Sequence, residues 1–483
     1  MTRARAALLG AALALGGALA WRVALHLGPV DDAYISLRAA ANWAHGLGPV
    51  FNAGVRVEGT TSPLWTALLA LGIHAGAPPL SWMLVLGLAS TALAGALAAA
   101  LAFEAGGALA AVAAALTLAL LPGWSGWAVS GLETPLAGAL LLLAAWLAAG
   151  AEGTARGLVA GVFAALAALA RPEALLVLPA LVLVARDRRG AAALATTAAA
   201  LVGAAFVARH SYYGDWLPNT YYAKAGDGGV ALRLRGVSYV GVFALFHLPL
   251  LAAALLGARD RARVQWLAVA VVFAAAVAWE GGDHFPLARL ALPVVPLLAS
   301  MAGSGVAALR GYRRVLVALL LVAGVPLAAS GDDGAKRLSR EAGYARQWRA
   351  IGEALREPRA PPGSVATVTI GAIGYVSGRP ILDLAGLVDH HLARAPRLPG
   401  GASGHDRVDV DYVLGREPAL VIAVPALTRV PMSAERERAQ LAAWRAFGGG
   451  AERLLLDPRF QERYEPRDLP APGGFHLRAW VRR

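Results

Sequence analysis

The sequence predicts an all-α, polytopic membrane domain of about 11 transmembrane helices followed by a small α/β domain, and three observations carry that expectation. Hydrophobic residues make up 58% of the 483 residues and charged ones 16%, with a mean hydropathy of +0.56, well outside the range of soluble domains. Apolar runs near membrane length recur from residue 6 to about residue 330. Beyond about residue 335 the chain becomes mixed, Arg-rich and Pro-punctuated.

Charge and cysteine usage narrow the function. The formal net charge is +13, but the arginines fall in short loops and in the C-terminal part rather than along one stripe, which argues against nucleic acid. The absence of cysteine excludes a disulfide framework, a thiolate metal site and a Cys nucleophile. A bacterial envelope suits such a chain.

The elements follow in chain order. Residues 6–21, "AALLGAALALGGALAW", follow a basic "MTRAR" without a small-residue cleavage site, which predicts a retained signal anchor with the N-terminus inside. The clusters Arg186, Arg188 and Arg189, then Arg259, Arg261 and Arg263, then Arg310, Arg313 and Arg314 mark cytoplasmic turns. Between them lie apolar runs near 134–150, 157–170, 174–185, 190–209, 236–257, 264–279, 288–308 and 314–330. Three further runs lie between 63 and 122, where an even number of crossings is required, so one of them is re-entrant or half-length. The expected organisation is a membrane domain over 1–334, with an outer loop at 22–62, and an extracytoplasmic domain over 335–483. In the latter, "SVATVTI", "ALVIAV" and "FHLRAWV" read as strands; "YARQWRAIGEALRE" and "SAERERAQLAAWRAF" read as helices.

In so apolar a chain, the outer segments hold most of the polar chemistry. The first carries Asp31, Asp32, Arg38, His45, Asn52, Arg56 and Glu58; the second Trp124, Trp127 and Glu133. The third is "SYYGDWLPNTYYAKAGD", with Asn219, Tyr222 and Lys224, and the fourth is "WEGGDHFPLAR", with Asp283, His284 and Arg289. Carboxylates beside aromatic platforms suit sugars, and nearby cations suit a phosphate.

The blocks "DDAYISLRAAANWAHGLGPVFNAGVRVEGTTSPLW", "SGLETPLAGALL", "RPEALL", "YYGDWLPNTYYAK", "GGDHFPLARLALPVVP" and "GAIGYVSGRPILDLAGLVD" resemble, in this order, the bacterial GT-C glycosyltransferases that include the mycobacterial terminal arabinofuranosyltransferase family. The resemblance implies a GT-C-like membrane fold and an inverting, inner-membrane transferase. Such an enzyme moves a sugar, arabinofuranose or a hexose, from a polyprenyl-phosphate donor to a glycan, glycolipid or protein acceptor on the outer face. It also places the family's acidic motif on Asp31 and Asp32, with Asp31 as general base.

That role fits the chemistry, because an acceptor hydroxyl is a poor nucleophile and gains from a positioned carboxylate. Asp32 would orient the acceptor, the neighbouring base or a metal. A plainer reading keeps both acids as first-turn residues of an amphipathic helix, where aspartates satisfy free amides and the helix dipole. Glu58 and Glu133 are candidates to complete the acidic site, although Glu133 also suits the cap of the helix beginning at Pro135. Asp283 and His284 are candidates for donor phosphate or a divalent cation, and Asp32 with His284 for Mg or Mn, against a solvated turn. Arg171 is either functional at membrane depth or paired with Glu173. Arg38, Asn219, Tyr222, Lys224 and Arg289 complete the substrate-binding candidates. A flippase for lipid-linked sugars is the rival function. It needs no outer domain of this size and often shows inverted repeats, which the sequence lacks.

Overall fold

The computed structural model describes the chain except residues 225–228, 331–332, 359 and 399–403; the side chains of 322–323 and 325–330 are likewise outside the description. The end of the third outer segment therefore lies outside the described residues.

The membrane part begins with α1 (Arg3–Ala24), α2 (Asp31–Ala44), α3 (Pro63–His74), α4 (Pro79–Leu120) and α5 (Pro122–Trp127). It continues through α6 (Thr134–Ala149), α7 (Gly153–Ala170), α8 (Leu178–Val184), α9 (Arg188–Tyr213) and α10 (Asn219–Lys224). The last helices are α11 (Val230–Phe246), α12 (Leu248–Gly257), α13 (Arg261–Glu280), α14 (Val295–Ala308) and α15 (Gly311–Ser330). Among the described residues, six helices are long and apolar enough to cross a membrane, or seven if α11 and α12, bent by 76°, form one crossing. This is a multi-pass membrane domain. The number falls below the expected 11 because Pro63–His74, Thr134–Ala149 and Pro172–Val184 are short, and because α4 runs on through a reversal.

That reversal lies at Gly107, whose φ of 71° and ψ of −157° are accessible to glycine alone. Gly10 of α1 faces Gly95 and Ala99, Ala6 packs with Ala99, Ala111 and Ala115, and Gly17 faces Ala119. Ascending α1 therefore meets descending numbers before Gly107 and ascending numbers after it. Arg3 pairs with Glu104 at 2.6 Å, which places the turn at the N-terminal end of α1. Of the three apolar runs between 63 and 122, the 12-residue α3 is thus the half-length one.

The same end of the bundle collects the arginine clusters. Arg3 lies 5.4 Å over the Trp146 ring, Arg186 donates to the Ala149 carbonyl, and Arg314 donates to the carbonyls of Leu309 and Ala307. Helices in lipid gain little from hydrophobic attraction and associate where small residues let backbones touch. A Cβ on Gly157 would lie 2.4 Å from the Gly190 carbonyl oxygen, and one on Gly303 would lie 2.2 Å from that of Ala110. The abundance of Gly and Ala is therefore a packing device.

The C-terminal part opens with α16 (Gly334–Ala354), followed by β1 (Val365–Thr367), α17 (Gly371–Ser377), β2 (Ile381–Asp383) and α18 (Val410–Gly415). Then come β3 (Leu420–Ile422), β4 (Leu427–Thr428), α19 (Ala434–Ala443), α20 (Arg445–Leu456), α21 (Pro458–Arg463), β5 (Tyr464–Ala471) and β6 (Phe475–Arg482). β1 pairs in parallel with β2 and β3, while β6 runs antiparallel to β3, β4 and β5. One face of the sheet, including Val365, Leu420, Ile422 and Leu477, shares a continuous apolar core with the membrane helices. The other face, including Ala366 and Val421, packs on Leu414, Leu454 and Phe460.

Helix α2 begins at Asp31 and Asp32, as the plainer reading of the two acids expects, but it is enclosed well beyond one amphipathic face. Residues 33–40 are all buried, because both α3 and α17 pack against it.

Close packing of α1 gives a direct test. Gly95→Ala would put a methyl 2.5 Å from the Gly10 carbonyl oxygen, whereas a Cβ at Gly16 meets nothing within 4 Å. Overpacking of this kind costs about 1–3 kcal/mol. Gly95→Ala is expected to lower the unfolding temperature in detergent by several degrees while Gly16→Ala does not; equal unfolding temperatures would refute the contact.

Candidate active site

Four outer segments meet beneath the sheet. Val30 N–H donates to the Ser130 carbonyl at 3.0 Å, Trp127 Nε1 donates to the Pro286 carbonyl at 3.2 Å, and Asn219 N–H donates to the Glu58 carbonyl at 3.0 Å. Where they join α16 and the sheet, a cavity of about 270 Å³ opens. Its walls include Asp31 and Asp32 at the start of α2, His284 and Phe285 from the fourth outer segment, and Arg337 and Glu341 on α16. Arg340, Tyr344 and Trp348 extend the α16 wall, and His405, Trp444 and Phe447 close the cavity from the C-terminal part.

Asp31 is held by backbone amides at the start of α17. Gly371 N–H donates to its Oδ2 at 3.0 Å and Ala372 N–H to its Oδ1 at 2.7 Å. Burial pushes its carboxyl pKa up to about 7; the Ala372 amide opposes that rise and the neighbouring Asp32 charge reinforces it. Glu341 is also raised to about 7, by burial and then by Asp32, against Arg337 and Arg340. His284 stands 4.3 Å from the Phe285 ring and 5.6 Å from the His405 and Phe447 rings. Burial lowers its pKa despite the carboxylates of Asp283 and Asp32, which favours the neutral imidazole.

Of the residues singled out from sequence, Asp31, Asp32 and His284 line this cavity. The others lie around it. Arg171 donates to Glu133 at 2.7 Å and also pairs with Glu173, while Arg289 pairs with Asp283 at 2.7 Å. Glu58 accepts from Arg209 at 2.5 Å. Arg38 sits 4.4 Å over Phe51 and donates to the Arg379 carbonyl at 2.8 Å. Asn219 donates to the Gly386 and Leu387 carbonyls, Tyr222 lies 3.7 Å under the Arg394 guanidinium, and the Lys224 side chain lies against Gly404. These contacts hold the outer loops to each other and to the C-terminal part. Among the described residues, no group of three or more His, Asp or Glu is placed to hold a metal. Asp32 and His284 would hold a divalent ion only with oxygens from a bound phosphate and water.

Tyr375, Arg379, Asp383, Asp389 and His390, polar groups of the "GYVSGRPILDLAGLVDHHLAR" block, are engaged with protein. Asp383 accepts from Ala385 and Val388 amides, Asp389 from Leu392 N–H and Tyr412 Oη, and Arg379 donates to Pro361 and Ala360 carbonyls. Tyr375 lies 5.8 Å from Tyr34, and His390 pairs with Asp215 at 3.2 Å. The sequence reading passed over the α16 wall. Arg337, Glu341, Tyr344 and Trp348 recur at the spacing of one helical face, a periodicity present in the sequence.

Residues 337–466 match a domain of unknown function, DUF8728. A 48-residue stretch is 52% identical to the terminal beta-(1->2)-arabinofuranosyltransferase of Mycobacterium tuberculosis, covering 10% of this chain and 8% of that protein. The fold is similar to crystal structures of ArnT from Cupriavidus metallidurans. With undecaprenyl phosphate bound, the ArnT structure gives a TM-score of 0.54 at 17% identity, covering 77% of this chain and 85% of ArnT. The apo form gives 0.52 at 16% identity, covering 76% and 83%. The likeness to ArnT is one of fold, extending over the membrane bundle and into the C-terminal part.

The Asp31 anchorage can be perturbed without touching the carboxylate. A Cβ on Gly371 would lie 2.0 Å from the Asp31 carbonyl oxygen. Gly371→Ala is expected to loosen α17 from α2, seen as faster proteolysis near residues 371–378; an unchanged cleavage pattern would show that the seam does not depend on this approach.

Proposed function

We propose that this chain is an inverting glycosyltransferase of the bacterial inner membrane, moving a sugar from a polyprenyl-phosphate donor to an envelope acceptor on the outer face. The observation that carries this reading is one cavity with Asp31 and Asp32 on one side and Arg337 and Arg340 on another, at the junction of a membrane bundle and an outer sheet. The fold, shared with a protein crystallised with undecaprenyl phosphate, supports it, as does the short match to an arabinofuranosyltransferase. The sugar is a pentose or hexose. The arginine-rich end of the bundle would face the cytoplasm.

In this mechanism Asp31 accepts the proton of the acceptor hydroxyl as its oxygen attacks the anomeric carbon. The bond from that carbon to the phosphate oxygen breaks on the opposite side, and the phosphate leaves with the electron pair. Arg337 and Arg340 would meet its charge. No covalent intermediate is needed, so the anomeric centre inverts. The two amides from α17 fix the Asp31 carboxylate before substrate arrives, and a pKa near neutrality suits a base. Asp32 would orient the acceptor. A divalent ion at Asp32 and His284, if used, would offset phosphate charge.

Because both Asp31 oxygens accept from backbone, Asn at this position keeps only one acceptor and turns an NH₂ group toward the other amide. Asp31→Asn therefore disturbs docking as well as basicity, and Gly371→Ala serves as the docking control. Asp31→Asn is expected to lower turnover by about 10²- to 10⁴-fold, with a smaller loss for Gly371→Ala and for Asp32→Asn. An equal loss in Gly371→Ala and Asp31→Asn would reduce Asp31 to a structural anchor.

The pH dependence has a definite sign. A base must be unprotonated, and Asp31 titrates at about 7, so kcat should rise as pH increases through about 7 and level off above it. A rate already flat from pH 5 upward would contradict Asp31 as the base. Chelation with EDTA separates the metal question, since activity surviving it would remove the divalent ion from the scheme.

A further inference from the structure

The proposed transfer leaves Glu341 without a task, although it is the third carboxylate of the cavity after Asp31 and Asp32. It stands on α16 beside Arg340 and one helical turn after Arg337, and all three side chains line the cavity. Among the described residues, no hydrogen bond or ion pair engages its carboxylate. Both arginines lean elsewhere, Arg337 to the His284 carbonyl at 3.3 Å and Arg340 to the Asp333 carboxylate at 3.6 Å. Of the charges around Glu341, that of Asp32 on α2 bears on it most, ahead of Arg337 and then Arg340. Asp31, His284, Tyr344 and His405 are the remaining titratable groups of the cavity.

This placement sets a condition on the ligand that the arginines are positioned to meet. Successive positions rise by only about 1.5 Å along a helix, so a phosphate held between the two guanidinium groups also meets Glu341. A phosphate offers only acceptors, and so does an ionised carboxylate, whereas a neutral carboxyl has one O–H to donate. Ionised, Glu341 would set a third carboxylate against two guanidinium groups before the phosphate brought its own charge. Burial first, and then the Asp32 charge, push the Glu341 carboxyl up to about 7, so near neutral pH it is protonated at little cost. A sugar hydroxyl in the same place would call for the ionised form instead.

We infer that Glu341 binds the donor phosphate as the neutral acid, donating its O–H to a phosphate oxygen beside Arg337 and Arg340, so that above neutral pH a proton enters the site with the lipid. The inference rests on the proposed glycosyl transfer and adds a third ligand to its phosphate. The proton stays on the Glu341 oxygen throughout. As the bond from the anomeric carbon breaks, charge builds on the phosphate and this hydrogen bond strengthens, which favours departure.

Titration of the full chain in detergent with undecaprenyl phosphate, at pH 6 and at pH 8 with EDTA present, tests it. Glu341→Gln keeps an N–H donor and cannot ionise. It should bind the lipid as tightly as the unmodified protein does at pH 6 and about tenfold more tightly at pH 8, the factor for a group that titrates about one unit below that pH. Asp31 and the phosphate, whose second proton leaves at about 6, titrate in both proteins, so the two are compared at each pH and not across pH. Glu341→Ala has no donor and should bind about tenfold more weakly than Glu341→Gln at both pH values. Unfolding temperatures of the same preparations exclude misfolding as the cause. The inference is overturned if Glu341→Gln binds more weakly than the unmodified protein at pH 8, if its advantage is the same at both pH values, or if Glu341→Ala and Glu341→Gln bind alike, which would leave the carboxylate to a sugar hydroxyl. Failure of undecaprenyl phosphate to bind any of these proteins would overturn the lipid-linked donor along with it. Absence of transfer with the binding ratios intact counts against the proposed reaction, not against Glu341.

Discussion

Two hydrogen bonds organise this molecule: the amides of Gly371 and Ala372 both point at the carboxylate of Asp31. They join the first residue of an outer-loop helix to the first turn of a helix 340 positions later in the chain. The contact needs a residue without a side chain at 371, because the Asp31 backbone occupies the place of a Cβ. A charged group held this way gives up solvent and gains fixed direction, which is the exchange expected of a preorganised site.

Neighbouring contacts lie along the same seam. Asn52 bonds the Ile381 amide and carbonyl, occupying the free edge of β2 as a strand would. Ser339 of α16 donates to the Leu25 carbonyl at the end of α1, and Asn219 collects carbonyls between β2 and α18. The cavity is what this seam leaves open. Its walls come from both parts of the chain, so its shape depends on how the parts are docked and not on either alone.

The sequence made some of this legible. Apolar runs and an abrupt change of composition near residue 335 define the two parts, since burial in lipid and burial in a small sheet demand different patterns. The strands at 365–367, 420–422 and 475–482 stood out as β-rich runs. β2, no shorter than β1 or β3, went unread because its apolar run follows a proline and is broken by Asp383. Asp31, Asp32 and His284 were visible because acids and a histidine are rare in so apolar a chain. Arg38, Glu58, Glu133, Arg171, Asn219 and Arg289 were visible for the same reason, and the structure places them in ion pairs and carbonyl contacts; polarity alone does not say which groups reach the cavity wall. The hairpin at Gly107 was hidden because a reversal inside continuous Ala, Leu and Gly changes no composition.

The arrangement of β6 bears on where this protein can be cut. That strand carries β5 along one edge and both β3 and β4 along the other, and it lies beyond residue 466, where similarity to the C-terminal domain ends. Similarity and foldability therefore draw different boundaries. A fragment trimmed to the similar region would lose the strand on which three others depend, and even one carried through to residue 483 would bare the apolar sheet face that the membrane helices now cover. The C-terminal part is thus less a detachable module than a cap packed onto the bundle, and the two should fold as a single unit.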